Sequence, residues 1–163
     1  MLALHVTNTK NLESIKKNGL KCTDASVHPV AKNFECATFL YPLDGIDYTL
    51  KFTPQNAKMR GETLADTSFV IVDVPNCVVG DLHLEDQEDA YKSNTTTLKN
   101  YITGRERRRF KEPEIVCRGT IDKEDILGSM SFGEVDVLYN TCKTSGEYIH
   151  KCMELGISKI LKK

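Results

Sequence analysis

At 163 residues the chain is the size of one domain, so a single folded unit over residues 1–163 is expected. Hydrophobic content of 40% beside 28% charged residues is ordinary for a folded protein in water. No stretch nears the roughly 18 uninterrupted apolar residues of a membrane-spanning helix, and a net charge of −1 argues against a protein that coats nucleic acid unselectively.

In chain order, Leu2–Val6 (LALHV) predicts a short strand, with Thr7 or Thr9 available to cap the next element. Over Asn11–Asn18, Leu12 and Ile15 fall on one side with Lys16 and Lys17 opposite, and Gly19 supplies the stop, which predicts a helix. Cys36–Phe52 begins as an apolar strand, breaks at Pro42 and the Asp44-Gly45 turn signal, and resumes as a second extended piece. Thr67–Pro75, rich in β-branched and apolar residues and ended by proline, is the clearest strand and is expected to be central. Asn76–Leu84 reads as another strand, or as a pair turning at Gly80-Asp81.

Gln87–Ile102 is expected to be helical at its ends rather than through Thr95–Thr97. Glu114–Ile121 predicts a strand and Asp122–Gly128 a turn or short helix. Glu134–Asn140 predicts a strand, and Gly146–Leu161 a closing helix with Tyr148, Ile149, Cys152, Met153 and Leu155 on its inner face. Helices early and late around several non-alternating strands predict α+β rather than a doubly wound sheet.

Six cysteines (Cys22, Cys36, Cys77, Cys117, Cys142, Cys152) are scattered at wide spacings with no C-x-x-C pair, which predicts reduced thiols in a cytosol-like compartment. His28, His83 and His150 stand at no short interval from a cysteine pair, so no metal is expected. The opening MLALHVTNTK has neither a basic leader nor an extended apolar region. No signal peptide, no membrane contact and a cytoplasmic location are therefore expected.

Neither G-x-x-x-x-G-K-[ST], G-x-G-x-x-G nor G-x-S-x-G occurs. What stands out is RERRRFKEPEIV, in which Arg105, Arg107, Arg108, Arg109 and Lys111 directly precede Glu112 and Glu114. Acidic charge collects elsewhere, in Leu84–Ala90 and Ile121–Ile126, an asymmetry compatible with an anionic partner at one face. The basic run is either a solvated loop leading into a strand or a substrate-gripping loop that ends on a catalytic carboxylate.

Three segments resemble the ADP-ribosyltransferase superfamily, and within it the DarT-type DNA ADP-ribosyltransferases. LHVTNTKNLESIKKNGL (Leu4–Leu20) is similar to that family's opening strand and helix, and ATFLYPLDGIDYTLKF (Ala37–Phe52) to its next, aromatic strand and loop. RRRFKEPEIVCRGTIDKEDI (Arg107–Ile126) resembles the late segment in which a basic loop precedes a glutamate that starts a strand. The resemblance implies an ADP-ribosyltransferase-like fold, with central split antiparallel or mixed sheets, flanking helices and a cleft for NAD as co-substrate.

Carried over by position, the resemblance implies that His5 and Thr7 grip the nicotinamide-ribose end of NAD and that Glu114 is the catalytic glutamate. Tyr41 or Tyr48 would stack on nicotinamide, and Asn8 stands where the family has a second histidine. The family's arginine between the first helix and the aromatic strand has no counterpart, with Lys32 in that region. That arginine belongs to the DNA-modifying branch, so the resemblance implies NAD binding more strongly than a thymidine target.

The chemistry has its own logic. Cleaving the nicotinamide-ribose bond develops positive charge on the ribose, and a carboxylate fixed beside the sugar stabilises it electrostatically. One carboxylate suffices where a glycosidase uses two, because the leaving group is already cationic. A histidine on a neighbouring strand would orient the ribose hydroxyls. Glu112, two residues before Glu114, would share its face if the strand had already begun, as a general base toward the acceptor.

These features together predict a monomeric mono-ADP-ribosyltransferase whose Arg105–Lys111 loop holds the acceptor. Nucleic acid, a DNA base, is favoured because arginine pairs with phosphate and stacks on bases, with a protein side chain close behind. The family suggests a toxin, or a phage or mobile-element effector, with a neutralising antitoxin or hydrolase as partner. An RNA 2′-phosphotransferase-like enzyme and a non-catalytic nucleic-acid-binding module that keeps the fold stand as alternatives.

Overall fold

The structure, a computed structural model, describes residues 2–24, 26, 28, 30–43, 46–74, 77–84, 87–103 and 110–161. Its strands are β1 (Leu2–Asn8), β2 (Ala37–Pro42), β3 (Thr67–Asp73), β4 (Val78–Asp81), β5 (Thr96–Thr97), β6 (Pro113–Arg118) and β7 (Ile126–Ser131). They form one sheet in the order β5-β4-β6-β2-β1-β3-β7, with every pairing antiparallel. The helices are α1 (Leu12–Asn18), α2 (Ile46–Met59), α3 (Glu88–Ser93), α4 (Leu98–Thr103), α5 (Phe132–Thr141) and α6 (Ser145–Leu161). Together they make the mixed, antiparallel-sheet architecture expected of an α+β chain.

The middle of the sheet is a sparsely paired seam. β1 pairs with β3 along its whole length, and β2 pairs with β6 from Ala37 to Leu40, but β1 and β2 meet only at Ala3↔Pro42 and Leu4↔Tyr41. Beyond those two positions the strands part, leaving β1–β3–β7 on one side and β2–β6–β4–β5 on the other.

Alternation along the strands sorts the core onto the two faces. One face carries Ala3, Leu40, Val70, Val72, Val79 and Ile115, covered by Ile15 of α1 and by Leu98 and Tyr101 of α4. The other carries Leu4, Phe69, Ile71 and Met130, covered by Val135 of α5 and by Tyr148 and Cys152 of α6. On that second face, over β2 and β6, a smaller cluster of Ala31, Ala37 and Val116 packs with Val30, Phe34 and Phe39. Gly19 ends α1 at φ +76°, where a Cβ would lie 2.2 Å from the Ile121 carbonyl oxygen, so only glycine fits the turn.

Several expectations are corrected. Neither Thr7 nor Thr9 caps the turn after β1; the Asn8 side chain does, accepting from the Lys10 N–H at 3.0 Å. The piece after Pro42 is the helix α2, whose buried positions Thr49, Thr53 and Ala57 recur every four residues. Gly80 and Asp81 lie inside β4, and the end of the Asp122–Gly128 segment enters β7. Glu134–Asn140 is helical, because Ser131 and Glu134 form a reciprocal capping box at the start of α5. On α6, Met153 faces outward.

The reduced state expected of the six cysteines is overturned for four of them and holds for Cys142 and Cys152. Cys22–Cys36 and Cys77–Cys117 are disulfides, and Cys142 and Cys152 are free thiols. Cys77 and Cys117 stand opposite one another one step beyond the Val78↔Val116 pair of neighbouring strands, with Cα atoms 4.7 Å apart. Cys22 and Cys36 flank the isolated Thr23↔Ala37 bridge, with Cα atoms 5.5 Å apart. Wide sequence spacing says nothing against such pairs once antiparallel strands bring them together. No helix among the described residues is long and apolar enough to cross a membrane.

Candidate active site

The approach to Glu114 is fixed by a second carboxylate. Asp81, buried at the end of β4, accepts backbone N–H bonds from Lys111 and Glu112, each at 2.9 Å, and from His83 at 3.3 Å. Three backbone donors meet the buried carboxylate. The chain leaving the basic segment is thereby pinned just before β6, in register with Asp81↔Pro113 and Gly80↔Glu114. Tyr101, in the core beneath, has its phenol pushed up to about 12 by burial, helped by the Asp81 charge.

Glu114 is 4% exposed, and so is His28, from the segment between α1 and β2. His28 Nε2 lies 3.1 Å from Glu114 Oε2. Its other nitrogen, Nδ1, accepts from the backbone N–H groups of Val30 at 3.4 Å and Ala31 at 3.3 Å. An Nδ1 that accepts leaves the proton on Nε2, so His28 donates to the Glu114 carboxylate. The imidazole is held between two rings, Phe39 with centroids 5.0 Å away and Tyr91 of α3 edge-on at 5.3 Å. Tyr91 comes this close because residue 80 is glycine: a Cβ there would stand 2.0 Å from the Tyr91 hydroxyl oxygen.

The residues expected around Glu114 are distributed differently. His5 and Thr7 pair with Val70 and Ser68 on the Ala3 face, whereas Glu114 alternates onto the opposite face with Val116 and Phe39. His5 sits in the seam, its Nδ1 3.3 Å from the Phe39 carbonyl oxygen, joining β1 to β2 past their last backbone pair. Burial holds its pKa below 6.5, and the nearby Arg60 charge acts the same way, against the bond to Phe39. The link from His5 to Glu114 therefore runs through Phe39 and His28. Thr7 accepts from Asn11 Nδ2 at 3.2 Å, and Asn8 caps the turn after β1.

Tyr41 is half-buried in β2 opposite Leu4, on the Glu114 face. Tyr48 lies in α2, and its side chain is outside the described residues, as are Arg105, Arg107, Arg108 and Arg109 entirely. Lys32 is paired with Glu88 of α3, which Lys92 also engages, and the two ammonium groups hold Glu88 down to about 2. Lys111 is exposed. Glu112 precedes β6, which starts at Pro113, so it does not share a strand face with Glu114.

His28, Tyr91 and Asp81 were not singled out by sequence. His28 lies between α1 and β2 and meets Glu114 across 86 positions of chain, a pairing that no local pattern signals. Chemically, the arrangement holds one buried carboxylate against a ring donor, which suits stabilisation of a cation brought against it. Among the described residues no group of three or more His, Cys, Asp or Glu side chains is gathered to hold a metal ion. Compared with known proteins, the chain matches no family model, no curated protein and no solved structure.

Proposed function

We propose that the chain is an NAD-dependent mono-ADP-ribosyltransferase in which Glu114 stabilises the oxocarbenium-like ribose as nicotinamide leaves. The observation that carries the reading is the fixed Glu114 carboxylate, 4% exposed at the head of β6 and oriented by His28 at 3.1 Å. It stands on β6, next to β2 in an antiparallel sheet, and directly after a segment with five basic side chains. ADP-ribose then passes to an acceptor held by Arg105–Lys111, a nucleic-acid base ahead of a protein side chain. The two disulfides suit an oxidising compartment and withdraw the support that reduced thiols lent to a cytoplasmic one.

A second reading, a non-catalytic module, is favoured by the same burial: a carboxylate already engaged by His28, with His5 and Thr7 on the opposite face, serves as a core fastening. The test separates them. Labelled NAD is incubated with the protein and, separately, single-stranded DNA, RNA or a protein mixture, with Glu114→Ala alongside. Transfer that depends on Glu114 supports the transferase. Absence of both transfer and nicotinamide release supports the module.

A further inference from the structure

The Cys22–Cys36 disulfide closes the stretch that carries His28, and we infer that this bond regulates the Glu114 site by holding His28 against the carboxylate. This rests on the reading of Glu114 as the reacting centre. His28 is here a positioning residue, acting through Glu114.

Four observations carry it. The ends of the stretch meet at the head of β2, where Thr23 N–H donates to the Ala37 carbonyl at 2.9 Å and Ala37 N–H to the Thr23 carbonyl at 3.0 Å. The disulfide, spanning 14 positions, is a covalent clasp that straddles the bridge, with Cys22 just before Thr23 and Cys36 just before Ala37. Within it, the Val30 and Ala31 amides hold His28 Nδ1 and so fix which nitrogen faces Glu114. Finally, Cys22 and Cys36 are half-buried, whereas Cys77 and Cys117 are buried, so a thiol reductant reaches the clasp first.

The switch balances simply. A dithiol reductant gives two electrons and two protons, Cys22 and Cys36 become thiols, and the reductant's two sulfurs become a disulfide. The Thr23–Ala37 bridge remains, but the stretch it spans regains the freedom that a cross-link removes. His28 then leaves Glu114, and the carboxylate loses its orienting donor.

The experiment compares the oxidised full-length chain, the same chain after mild dithiol treatment followed by thiol counting, Cys22→Ser/Cys36→Ser, His28→Ala and His28→Gln. Nicotinamide release from NAD is read as kcat and KM, and amide hydrogen exchange is read at Val30 and Ala31. The expected result is a fall in kcat of about tenfold or more for the reduced chain, the double serine variant and His28→Ala. KM is nearly unchanged, His28→Gln recovers part of the loss because its amide still donates, and reoxidation restores the reduced chain. Exchange at Val30 and Ala31 rises about tenfold in the reduced and double serine proteins.

Wild-type kcat in the reduced protein overturns the inference, and so does lost activity with unchanged amide protection. Where the double variant fails to fold, mild reduction of the folded chain makes the same comparison. If the oxidised chain releases no nicotinamide, the transferase reading fails, and exchange still decides the coupling: raised exchange supports the clasp and unchanged exchange overturns it.

Discussion

His28 Nε2 and Glu114 Oε2, separated by 86 positions in the chain, stand 3.1 Å apart in a buried pocket. Removing either side chain alone leaves a buried polar partner without that bond, at a cost of about 3 kcal/mol. The double variant is expected to be less destabilised than the two singles combined, by about 1–3 kcal/mol. Denaturant unfolding of His28→Ala, Glu114→Ala and the pair checks this. Strict additivity would mean that the two side chains do not interact.

Asp81→Asn keeps the size of the side chain but removes charge from three backbone donors and turns an NH₂ group toward at least one of them. The expected loss is about 2–3 kcal/mol of unfolding free energy. Tyr101 should titrate below its present pKa of about 12, while burial, the larger cause, keeps it above 10.0. Ultraviolet titration of the phenols at high pH against the wild-type chain measures the change.

Legibility followed the range of the information. Thr67–Asp73 was readable as a buried strand because its β-branched run is a local property, and Gly19 was readable as a stop because a positive φ is needed there. Glu134–Asn140 misled because Val135, Val137 and Tyr139 alternate as a strand would, yet Val137 and Tyr139 lie in solvent at 61% and 54% exposure. The Ser131–Glu134 capping box decides for a helix. In the candidate site, Glu114 was legible at the start of its strand. His28, the disulfide partners and the opposed faces of His5 and Glu114 depend on long-range register, which no local pattern encodes.

Gly80→Ala tests the close approach over Glu114's pairing partner. The new methyl would meet the Tyr91 hydroxyl oxygen and two ring carbons at 2.0–2.6 Å, and a buried aromatic ring has little room to shift. Destabilisation of about 1–3 kcal/mol is expected. Gly80→Ala placed on Tyr91→Leu should cost less than it does on the wild-type chain, as thermal unfolding of the four proteins would show.

His5 gives the pH dependence. Its folded pKa lies below 6.5, so in acid the unfolded chain takes up the proton first and stability falls as pH drops from 6.5 through the folded value. Stability recovers as pH rises again. His5→Asn, which keeps a donor for the Phe39 carbonyl, should flatten this limb relative to wild type in denaturant midpoints measured between about pH 5 and 7. An unchanged slope would show that His5 protonates freely in the folded state.

The most direct measurement is nicotinamide release and label transfer from NAD by the oxidised wild-type chain and by Glu114→Ala, with unfolding midpoints confirming that both are folded. The account predicts transfer by the wild-type chain and a fall of about a hundredfold or more on removing the carboxylate. A folded wild-type chain that releases no nicotinamide, or a Glu114→Ala chain that matches it, would contradict the account.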